Sequence, residues 1–350
     1  MTLKFQNEIG YFISTEEYFN SISKTGEGQF TINPDLFKIF SPYSMRRYFM
    51  KKKITGVDTN IGSSSFISDI KDKEVSEIKA KYLKIAKYLK DQGLLKKGEK
   101  IPNTVALNCA EKVYSKSNVN IVKNAIGSNI GPATIRTLQD SKFFFPENCI
   151  FYSKDISEIN VQLLDKKFDL ILLDPPWWNK YIRRKRKKSP DAYNMMYNTD
   201  LKSIPIEKML TETGIVVVWC TNSSQHLHDL TQNIFPKWGV KFVAKWYWVK
   251  ITTLGDPICE FSEPPGKQPF EQIIFGYRNP SKCLPDSGKL LISVPSAIHS
   301  SKPPLVEVIQ NLLPENPQCL EIFARYLLPN WTSYGNEVLK FQNECLYLSQ

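Results

Sequence analysis

The sequence predicts an α/β fold in which a mostly buried sheet is covered by helices on both faces. Short, continuous apolar runs recur from residue 149 to residue 323, and such runs are typical of strands that are buried on both faces. Helical patterns lie between several of these runs, at 204–210, 224–234 and 305–313. This alternation indicates an α/β sheet with crossover helices. The apolar runs are at 149–152, 168–173, 214–220, 241–249, 272–277, 289–294 and 319–323.

Residues 1–143 have a different texture and predict a smaller, mainly helical N-terminal unit, which leaves 144–350 for the α/β unit. Apolar side chains recur at three- and four-residue spacing between Lys73 and Gln92, and Gly93 stands where a helix commonly ends. A second helix is expected to begin at Asn103 or Thr104, because both residue types cap helices. The apolar face of the first helix consists of Val75, Ile78, Tyr82, Ile85 and Leu89.

The composition excludes several classes of protein. Hydrophobic residues make up 42% of the 350 residues, but no run reaches the roughly 18 apolar residues of a membrane span. The N-terminus lacks the apolar segment of a signal peptide, so we expect a soluble, intracellular protein without membrane attachment. Seven cysteines without a CxxC pair and only three histidines favour neither a disulfide framework nor a metal site. The net charge of +11 favours a polyanionic partner or an anionic membrane surface.

Asp174, Pro175, Pro176 and Trp177 directly follow the apolar run at 168–173, at the end of a strand where ligands bind in α/β sheets. The two prolines stop the strand, fix the backbone and are expected to leave their carbonyls free as acceptors. A carboxylate, rigid carbonyls and an indole would then face one point. This set suits the amine of adenine, whose N–H bonds the acceptors orient while the indole stacks on the base. Taken alone, the tetrapeptide fits equally well an aspartate that caps a helix and prolines that end a strand.

Two further segments accompany the tetrapeptide in a fixed order, 267–277 and 329–337. Together with 174–180, they resemble the family of adenine-N6 methyltransferases that is named for the seventy-kilodalton subunit of the messenger-RNA N6-adenosine methyltransferase. Within that family they are most similar to the methyltransferase-like protein 4 branch. The resemblance covers about residues 149–341. It implies S-adenosyl-L-methionine as the cofactor and a Rossmann-like class I methyltransferase fold with permuted motif order, so that 144–350 would be the catalytic domain.

The same resemblance implies roles for individual residues. Asp155 also fits a helix cap, Lys302 a solvated loop cation, and Asn336 a turn residue, so these alternatives stay open. The segment 320–325 follows the catalytic strand, as the permuted order requires, but it lacks the GxGxG pattern and leaves the cofactor turn unidentified. The residues implied as catalytic are Asp174, Pro175, Pro176 and Trp177. The residues implied at the cofactor are Asp155, Ile156, Asp174, Lys302, Arg325, Asn336 and Glu337.

A strongly basic run begins three residues after Trp177, and seven of the nine residues from Lys180 to Lys188 are lysine or arginine. Such a run fits a clamp on a phosphate backbone, but also a solvated loop or a nuclear-import signal. By the resemblance, Lys250 belongs to an interface or substrate loop, and Glu271 either contacts the substrate or braces this loop. The residues expected to bind substrate are Trp178, Asn179, Lys180, Arg183, Arg184, Lys185, Arg186, Lys250 and Glu271.

We therefore expect an enzyme that methylates the N6 amine of adenine in RNA. The branch resemblance implies that the target is internal 2′-O-methyladenosine of U2 small nuclear RNA, which would become N6,2′-O-dimethyladenosine. It also implies a monomer that needs no partner subunit and a location in the nucleus, with the cytoplasm as a second compartment. DNA adenine is the alternative substrate, since the amine chemistry is the same. An inactive nucleic-acid-binding scaffold is the alternative of another class, and the presence of Asp174, Trp177 and Lys302 disfavours it. A small-molecule methyltransferase is a further alternative, but it would leave the basic run unexplained.

Overall fold

Sixteen strands lie within the residues that the computed structural model describes, which are 2–25, 28–43, 62–117, 122–178, 195–264, 266–279 and 284–349. Eleven of these strands form one mixed sheet. The strands are β1 (Leu3–Gln6), β2 (Gly10–Ile13), β3 (Lys24–Thr25), β4 (Gly28–Ile32), β5 (Ala125–Ser128), β6 (Thr134–Leu138), β7 (Ser141–Phe145), β8 (Ile150–Ser153), β9 (Phe168–Leu173), β10 (Leu210–Cys220), β11 (Lys241–Lys250), β12 (Phe270–Tyr277), β13 (Leu290–Ser293), β14 (Cys319–Ile322), β15 (Trp331–Tyr334) and β16 (Tyr347–Ser349).

Two long helices precede the larger part of the sheet in the chain, and short helices connect its later strands. A single π-helical turn, Leu230–Ile234, joins two of the short helices. The α-helices are α1 (Thr15–Ile22), α2 (Gly62–Asp91), α3 (Thr104–Ser117), α4 (Ile159–Leu163), α5 (Asn198–Lys202), α6 (Ile206–Met209), α7 (Ser224–Asp229), α8 (Phe235–Lys237) and α9 (Val306–Ile309).

The large sheet has the strand order β1-β2-β13-β11-β12-β10-β9-β14-β15-β8-β5. Six of its neighbouring pairs are parallel, and four are antiparallel. The sheet is therefore mostly parallel, which confirms the predicted α/β, Rossmann-like fold. β14 lies directly between β9 and β15, although it follows β9 late in the chain, so the strand order is permuted as expected.

The middle of the sheet is buried on both faces, as its continuous apolar runs predicted. Along β9, Leu170 and Leu172 pack into the core on one face of the sheet. Ile171 and Leu173 pack into the core on the other face. The exposed fraction of these four side chains is 2% or less, so this strand is a rigid support for whatever follows Leu173.

The parallel strands bring their carboxyl ends to a single edge of the sheet. Asp174 follows β9 there, Arg325 follows β14, and Asn336 follows β15. β10 and β11 are both antiparallel to β12, so β11 runs in the same direction as β10 and β9. Lys250, the last residue of β11, therefore lies at this edge too. β12 runs antiparallel to β10 and therefore begins where β10 ends, which places Glu271 at the same edge. This edge is where α/β proteins bind their ligands.

The predicted helix between Lys73 and Gln92 is confirmed as part of α2. Its apolar face is buried, because Ile78, Tyr82, Ile85 and Leu89 are each 3% exposed or less. Gly93 has a φ of +65°, the left-handed conformation that suits glycine after a helix. α2 thereby packs on the β11, β12 and β13 part of the sheet.

The large sheet includes strands from the predicted N-terminal unit at both of its edges. β1 and β2 extend it beside β13, and β5 forms the opposite edge beside β8. The domain boundary between residues 143 and 144 stays a prediction. The large sheet contains strands from both sides of this boundary. Residues 2–143 also contribute six complete strands and part of β7, besides their three α-helices, which a mainly helical pattern did not suggest. None of the helices in the described ranges has the length and apolar character needed to cross a membrane.

At Gly10 the backbone of β2 lies close to β13, since a Cβ atom there would lie 2.1 Å from the Leu290 carbonyl oxygen. Gly10→Val should therefore push β2 away from β13. We expect a loss of at least ~2 kcal/mol of unfolding free energy, typical of overpacking, and a lower melting temperature by differential scanning fluorimetry. Ser128→Val, on the exposed face of the opposite edge strand, is the control. Equal melting temperatures for Gly10→Val and wild type would mean that β2 is not an integral strand of the sheet.

Candidate active site

Asp174 sits at the carboxyl end of β9 between two cations. Its Oδ1 atom lies 3.5 Å from the Nζ of Lys302, and its Oδ2 accepts a hydrogen bond of 2.9 Å from Arg325. The exposed fraction of the Asp174 side chain is only 13%. Lys302 comes from the loop between β13 and α9, and Arg325 from the turn after β14. The sheet topology therefore brings together three residues that the sequence had assigned to one site.

These three residues belong to a longer row of alternating charges along the sheet edge. On one side, Glu271 accepts hydrogen bonds from both Lys302 and Lys250. On the other side, Glu337 lies 3.0 Å from Arg325 and 2.7 Å from Lys340. Four cations and three carboxylates leave a net charge of +1, which suits an additional anionic group. The row, in order, is Lys250, Glu271, Lys302, Asp174, Arg325, Glu337 and Lys340.

The row favours the charged forms of Glu271, Lys302 and Glu337. Burial opposes the charge of Glu271, but Lys250 and Lys302 outweigh it and hold the pKa of this carboxyl well below its usual range. Burial likewise opposes the charge of Lys302, and Asp174 and Glu271 outweigh it, so the pKa of this ammonium is raised. Glu337 is also partly buried, yet Lys340 and Arg325 lower its pKa. Lys250 is the exception, because burial is the dominant effect and lowers its pKa.

Two tryptophans form an aromatic floor under the lysines. Lys250 lies 4.3 Å from the ring centre of Trp248, and Lys302 lies 5.2 Å from that of Trp219. Both indoles are buried. A cation over an aromatic face is attracted to the ring, and this attraction offsets part of the cost of burying the lysines.

Trp177 is a buried brace and not an open stacking surface. Its exposed fraction is 6%, and its indole N–H donates a 2.8 Å hydrogen bond to the carbonyl of Trp219. Its ring lies 5.0 Å from that of His226, which also contacts the carbonyl of Trp178 at 3.0 Å. The expectation that this indole stacks on a base is therefore corrected: it ties the turn after β9 to β10. Trp178 is partly exposed and is the last described residue before the basic run.

The carbonyls of the two prolines are not free, contrary to expectation. The Pro175 carbonyl accepts a hydrogen bond of 2.8 Å from the amide of Trp177, and the Pro176 carbonyl accepts one of 2.9 Å from Met196. Each carbonyl oxygen keeps a second lone pair, so either can still accept one further hydrogen bond. Two backbone hydrogen bonds therefore fix the turn, one within it and one from Met196.

Asp155 and Asn336 meet beyond the end of β8, as the sequence assignment requires. The Asn336 amide donates to Asp155 at 3.0 Å, and this bond is the largest of the causes that lower the Asp155 pKa. Asp155 also accepts from the amide of Ser157 and so caps the short turn that begins at Ile156. The helix cap and the candidate site residue are therefore the same side chain, and both roles are compatible.

The turn after β14 is built without a glycine. Phe323 adopts a left-handed conformation with a φ of +64°, which is uncommon for a bulky residue and typical of strained functional turns. Gly335 lies against this turn, because a Cβ atom on it would come within 3.2 Å of the Phe323 Cα. The close approach expected of GxGxG is thus achieved by one strained residue and one glycine from the neighbouring strand. No glycine pattern in the sequence could have revealed this pair.

Glu321 is a buried acid that the sequence reading missed. It lies on β14 on the same face as Leu172 and is only 3% exposed, and its Oε2 has no hydrogen-bond partner among the described residues. Burial, reinforced by Asp174, raises the pKa of this carboxyl to about 8. The only signal in the sequence is an acidic residue inside an otherwise apolar strand, 319–323. Glu321 is therefore a proton-bearing group beneath Asp174 at neutral pH.

Several predicted substrate-binding residues cannot be located. Asn179, Lys180, Arg183, Arg184, Lys185 and Arg186 lie outside the described residues. Lys250 and Glu271 do lie at the site, where they pair with each other. In the part of the chain that the structure describes, no group of three or more histidine, cysteine, aspartate or glutamate side chains is placed to hold a metal ion.

Comparison with known proteins places this site in a family context. Residues 168–337 match the MT-A70 family. The chain is 38% identical over 230 residues to the N(6)-adenine-specific methyltransferase METTL4 of Mus musculus, covering 62% of this chain and 48% of that protein. It is 34% identical to the DNA N6-methyl methyltransferase of Caenorhabditis elegans, covering 62% and 58%. It is 41% identical to the N6-methyladenosine RNA methyltransferase MTA1 of Cryphonectria parasitica, covering 50% and 53%. The chain thus spans about half the length of the curated relatives that it matches.

The buried acid gives a prediction about stability and pH. Unfolded Glu321 releases its proton near its ordinary pKa of 4.5, whereas the folded protein retains it up to about pH 8. The stabilising contribution of this group is therefore complete below the lower value and is lost as the pH rises through the higher one. Glu321→Gln cannot ionise. The melting temperature of this variant minus that of wild type should therefore rise by roughly 5 °C as the pH is raised from about 5 to about 8. Glu315→Gln, at an exposed position, is the control, and a difference that does not change with pH would contradict the assignment.

Proposed function

Because the chain carries an MT-A70 domain at residues 168–337, we propose that the protein methylates the N6 amine of adenine in RNA with S-adenosyl-L-methionine as the methyl donor. The domain confirms the family and the branch that the sequence resembles. Relatives at 34–41% identity are named as N6-adenine methyltransferases. The observation that carries the proposal is the position of Asp174, which stands at a strand end with Lys302 and Arg325 on either side.

The residues present fit the cofactor. Lys302 and Arg325 would hold its carboxylate, since they are the central cations of a row with excess positive charge. Asp155, Ile156 and Asn336 would hold its adenosine end, and Glu337 completes this side of the site. The close approach of Gly335 to the turn at Phe323 forms a cradle that a side chain would fill. When bound, the cofactor supplies an electrophilic methyl group.

Asp174 would accept an N–H bond of the adenine amine, and the remaining lone pair of the Pro175 or Pro176 carbonyl would accept the other. The amine lone pair is delocalised into the base, so the nitrogen is a weak nucleophile. Two fixed acceptors favour the orientation in which this lone pair faces the methyl group. This is catalysis by positioning and electrostatics. Trp177 supports it indirectly, because its indole fixes the turn that carries the acceptors.

RNA is the proposed substrate, with internal 2′-O-methyladenosine of U2 small nuclear RNA as the target. The similarity to a protein named as an N6-methyladenosine RNA methyltransferase supports this choice. The net charge of +11 and the basic run after Trp177 are consistent with a nucleic-acid backbone in this place. DNA is the second candidate, because the relative from Caenorhabditis elegans is named as a DNA methyltransferase.

The remaining proposals concern the whole protein. We propose that it acts as a monomer without a partner subunit, in the nucleus and also in the cytoplasm, and that residues 1–143 help to bind or clamp the RNA. The basic run at 180–188 supports import as well as substrate contact. Trp178, Lys250 and Glu271, all at the sheet edge, are the described residues proposed to face the substrate. An inactive scaffold is the alternative of another class, and retention of Asp174 and Lys302 argues against it.

Asp174→Asn should reduce methyl transfer by about 100-fold or more, because it removes the charged acceptor at the reacting amine. The fold should survive, since Lys302 and Arg325 each retain a second carboxylate, Glu271 and Glu337. The assay follows transfer from labelled S-adenosyl-L-methionine to oligonucleotides that carry deoxyadenosine, adenosine or 2′-O-methyladenosine, with the product nucleoside identified by mass spectrometry.

Asp165→Asn is the matched control, an exposed aspartate just before β9 at the opposite edge of the sheet. We expect it to retain wild-type activity, and we expect 2′-O-methyladenosine to be the best acceptor. Deoxyadenosine as the best acceptor would favour the DNA candidate. Cofactor binding by wild type without any N6-methylated product would favour the scaffold, and an Asp174→Asn variant with more than about a tenth of wild-type activity would contradict the role of Asp174.

A further inference from the structure

In the free protein, the acceptor proposed for the adenine amine is already occupied. Both carboxylate oxygens of Asp174 face cations, with Lys302 Nζ at 3.5 Å from one and the Arg325 guanidinium at 2.9 Å from the other. The side chains of all three residues are 13% exposed or less. Ion pairs that are this poorly solvated are not screened by water or salt as surface pairs are. An amine that approaches Asp174 must therefore compete with two partly buried cations.

The same row of charges makes it easy for Asp174 to be released. Lys302 also pairs with Glu271, and Arg325 also pairs with Glu337 at 3.0 Å. Neither cation is left without a carboxylate if it moves away from Asp174, so the usual penalty for stranding a buried charge does not arise. Among the described residues, Asp174 pairs with no cation other than these two, so a new partner for its carboxylate must accompany its release. The partners of Lys302 and Arg325 at the centre of the row can therefore change. At the two ends, Lys250 stays paired with Glu271 and Lys340 with Glu337.

The charge balance indicates what triggers the exchange. Lys250, Lys302, Arg325 and Lys340 outnumber the three carboxylates of the row by one. An additional carboxylate at the centre of the row would attract the same two cations that hold Asp174. An α-amino-acid head group supplies such a carboxylate. As a zwitterion it leaves the net charge of the row unchanged, and its ammonium replaces a lysine or arginine as the partner of one oxygen of Asp174. The other oxygen of Asp174 would then be free to accept an N–H bond.

We propose that Asp174 is locked by Lys302 and Arg325 in the free protein and that the amino-acid head of the cofactor unlocks it, so that the adenine amine is recognised only after the cofactor has bound. This inference rests on the proposed function. Lys302 and Arg325 would thus both bind the cofactor carboxylate and control whether Asp174 can accept a hydrogen bond from the adenine amine. It also prevents the protein from holding an adenine tightly when no methyl donor is present.

The test measures recognition of the amine in isolation. Two fluorescent RNA oligonucleotides are compared by anisotropy, identical except that the target adenine is replaced in one by purine, which lacks the N6 amine. The ratio of their affinities cancels the phosphate contacts, which both oligonucleotides share. It is measured with no addition, with S-adenosylhomocysteine, and with 5′-methylthioadenosine, which has the adenosine and sulfur but no amino-acid head. Direct calorimetry confirms that each of the two compounds is bound at saturation.

We expect a ratio close to one in the free protein and with 5′-methylthioadenosine, and about ten or more in favour of adenine with S-adenosylhomocysteine, the size expected for a hydrogen bond to a charged acceptor. Lys302→Met removes one of the two cations and should raise the ratio in the free protein. Lys237→Met, an exposed lysine paired with Glu207 on the opposite side of β10, should behave as wild type.

A ratio of ten already present in the free protein would overturn the proposal, and so would an equal increase with 5′-methylthioadenosine or no increase with any addition. These results differ from failure of the proposed function. If N6 methylation of the oligonucleotide is observed but the ratio does not depend on the amino-acid head, only the lock is wrong. If S-adenosylhomocysteine does not bind at all, both the lock and the proposed function are wrong.

Discussion

The candidate site depends above all on the pairing of buried charges along one edge of the sheet. A partly buried carboxylate or ammonium is costly unless an opposite charge lies beside it, and each of the central members of the row has one on either side. The members come from β11 and β12 and from the segments after β9, β13, β14 and β15. No short stretch of the chain could assemble them, so the function depends on correct strand order. This explains why a large, rigid sheet supports so small a site.

The surroundings of the row explain how these charges are tolerated. The Trp219 and Trp248 rings lie under the lysines, and the backbone of the Asp174 turn is fixed by hydrogen bonds of its own carbonyls. Beneath Asp174, Glu321 carries a carboxyl that keeps its proton at neutral pH. A neutral acid there adds no fourth negative charge to the row.

Much of this arrangement could be predicted from the sequence, and the exceptions have physical reasons. Continuous apolar runs predicted the buried strands, and the position of Asp174 after one of them predicted the site. Side-chain pairing across distant strands, such as Glu271 with Lys302, is not encoded by local spacing and was not foreseen. Phe323 takes a conformation that sequence patterns assign to glycine, so the turn stayed hidden. The short N-terminal strands β1 and β2 carry too few residues for a periodic signal, although they complete one edge of the sheet.

If Lys302 and Arg325 hold Asp174 until the amino-acid head of the cofactor enters, these contacts should change in a crystal structure of the protein with S-adenosylhomocysteine. Such a structure gives the distances from the Asp174 oxygens to Lys302 and Arg325. We expect at least one Asp174 oxygen to lie beyond hydrogen-bond distance of both cations, with the ligand carboxylate beside one of them. Distances unchanged from 3.5 Å and 2.9 Å, with the ligand carboxylate elsewhere, would contradict it.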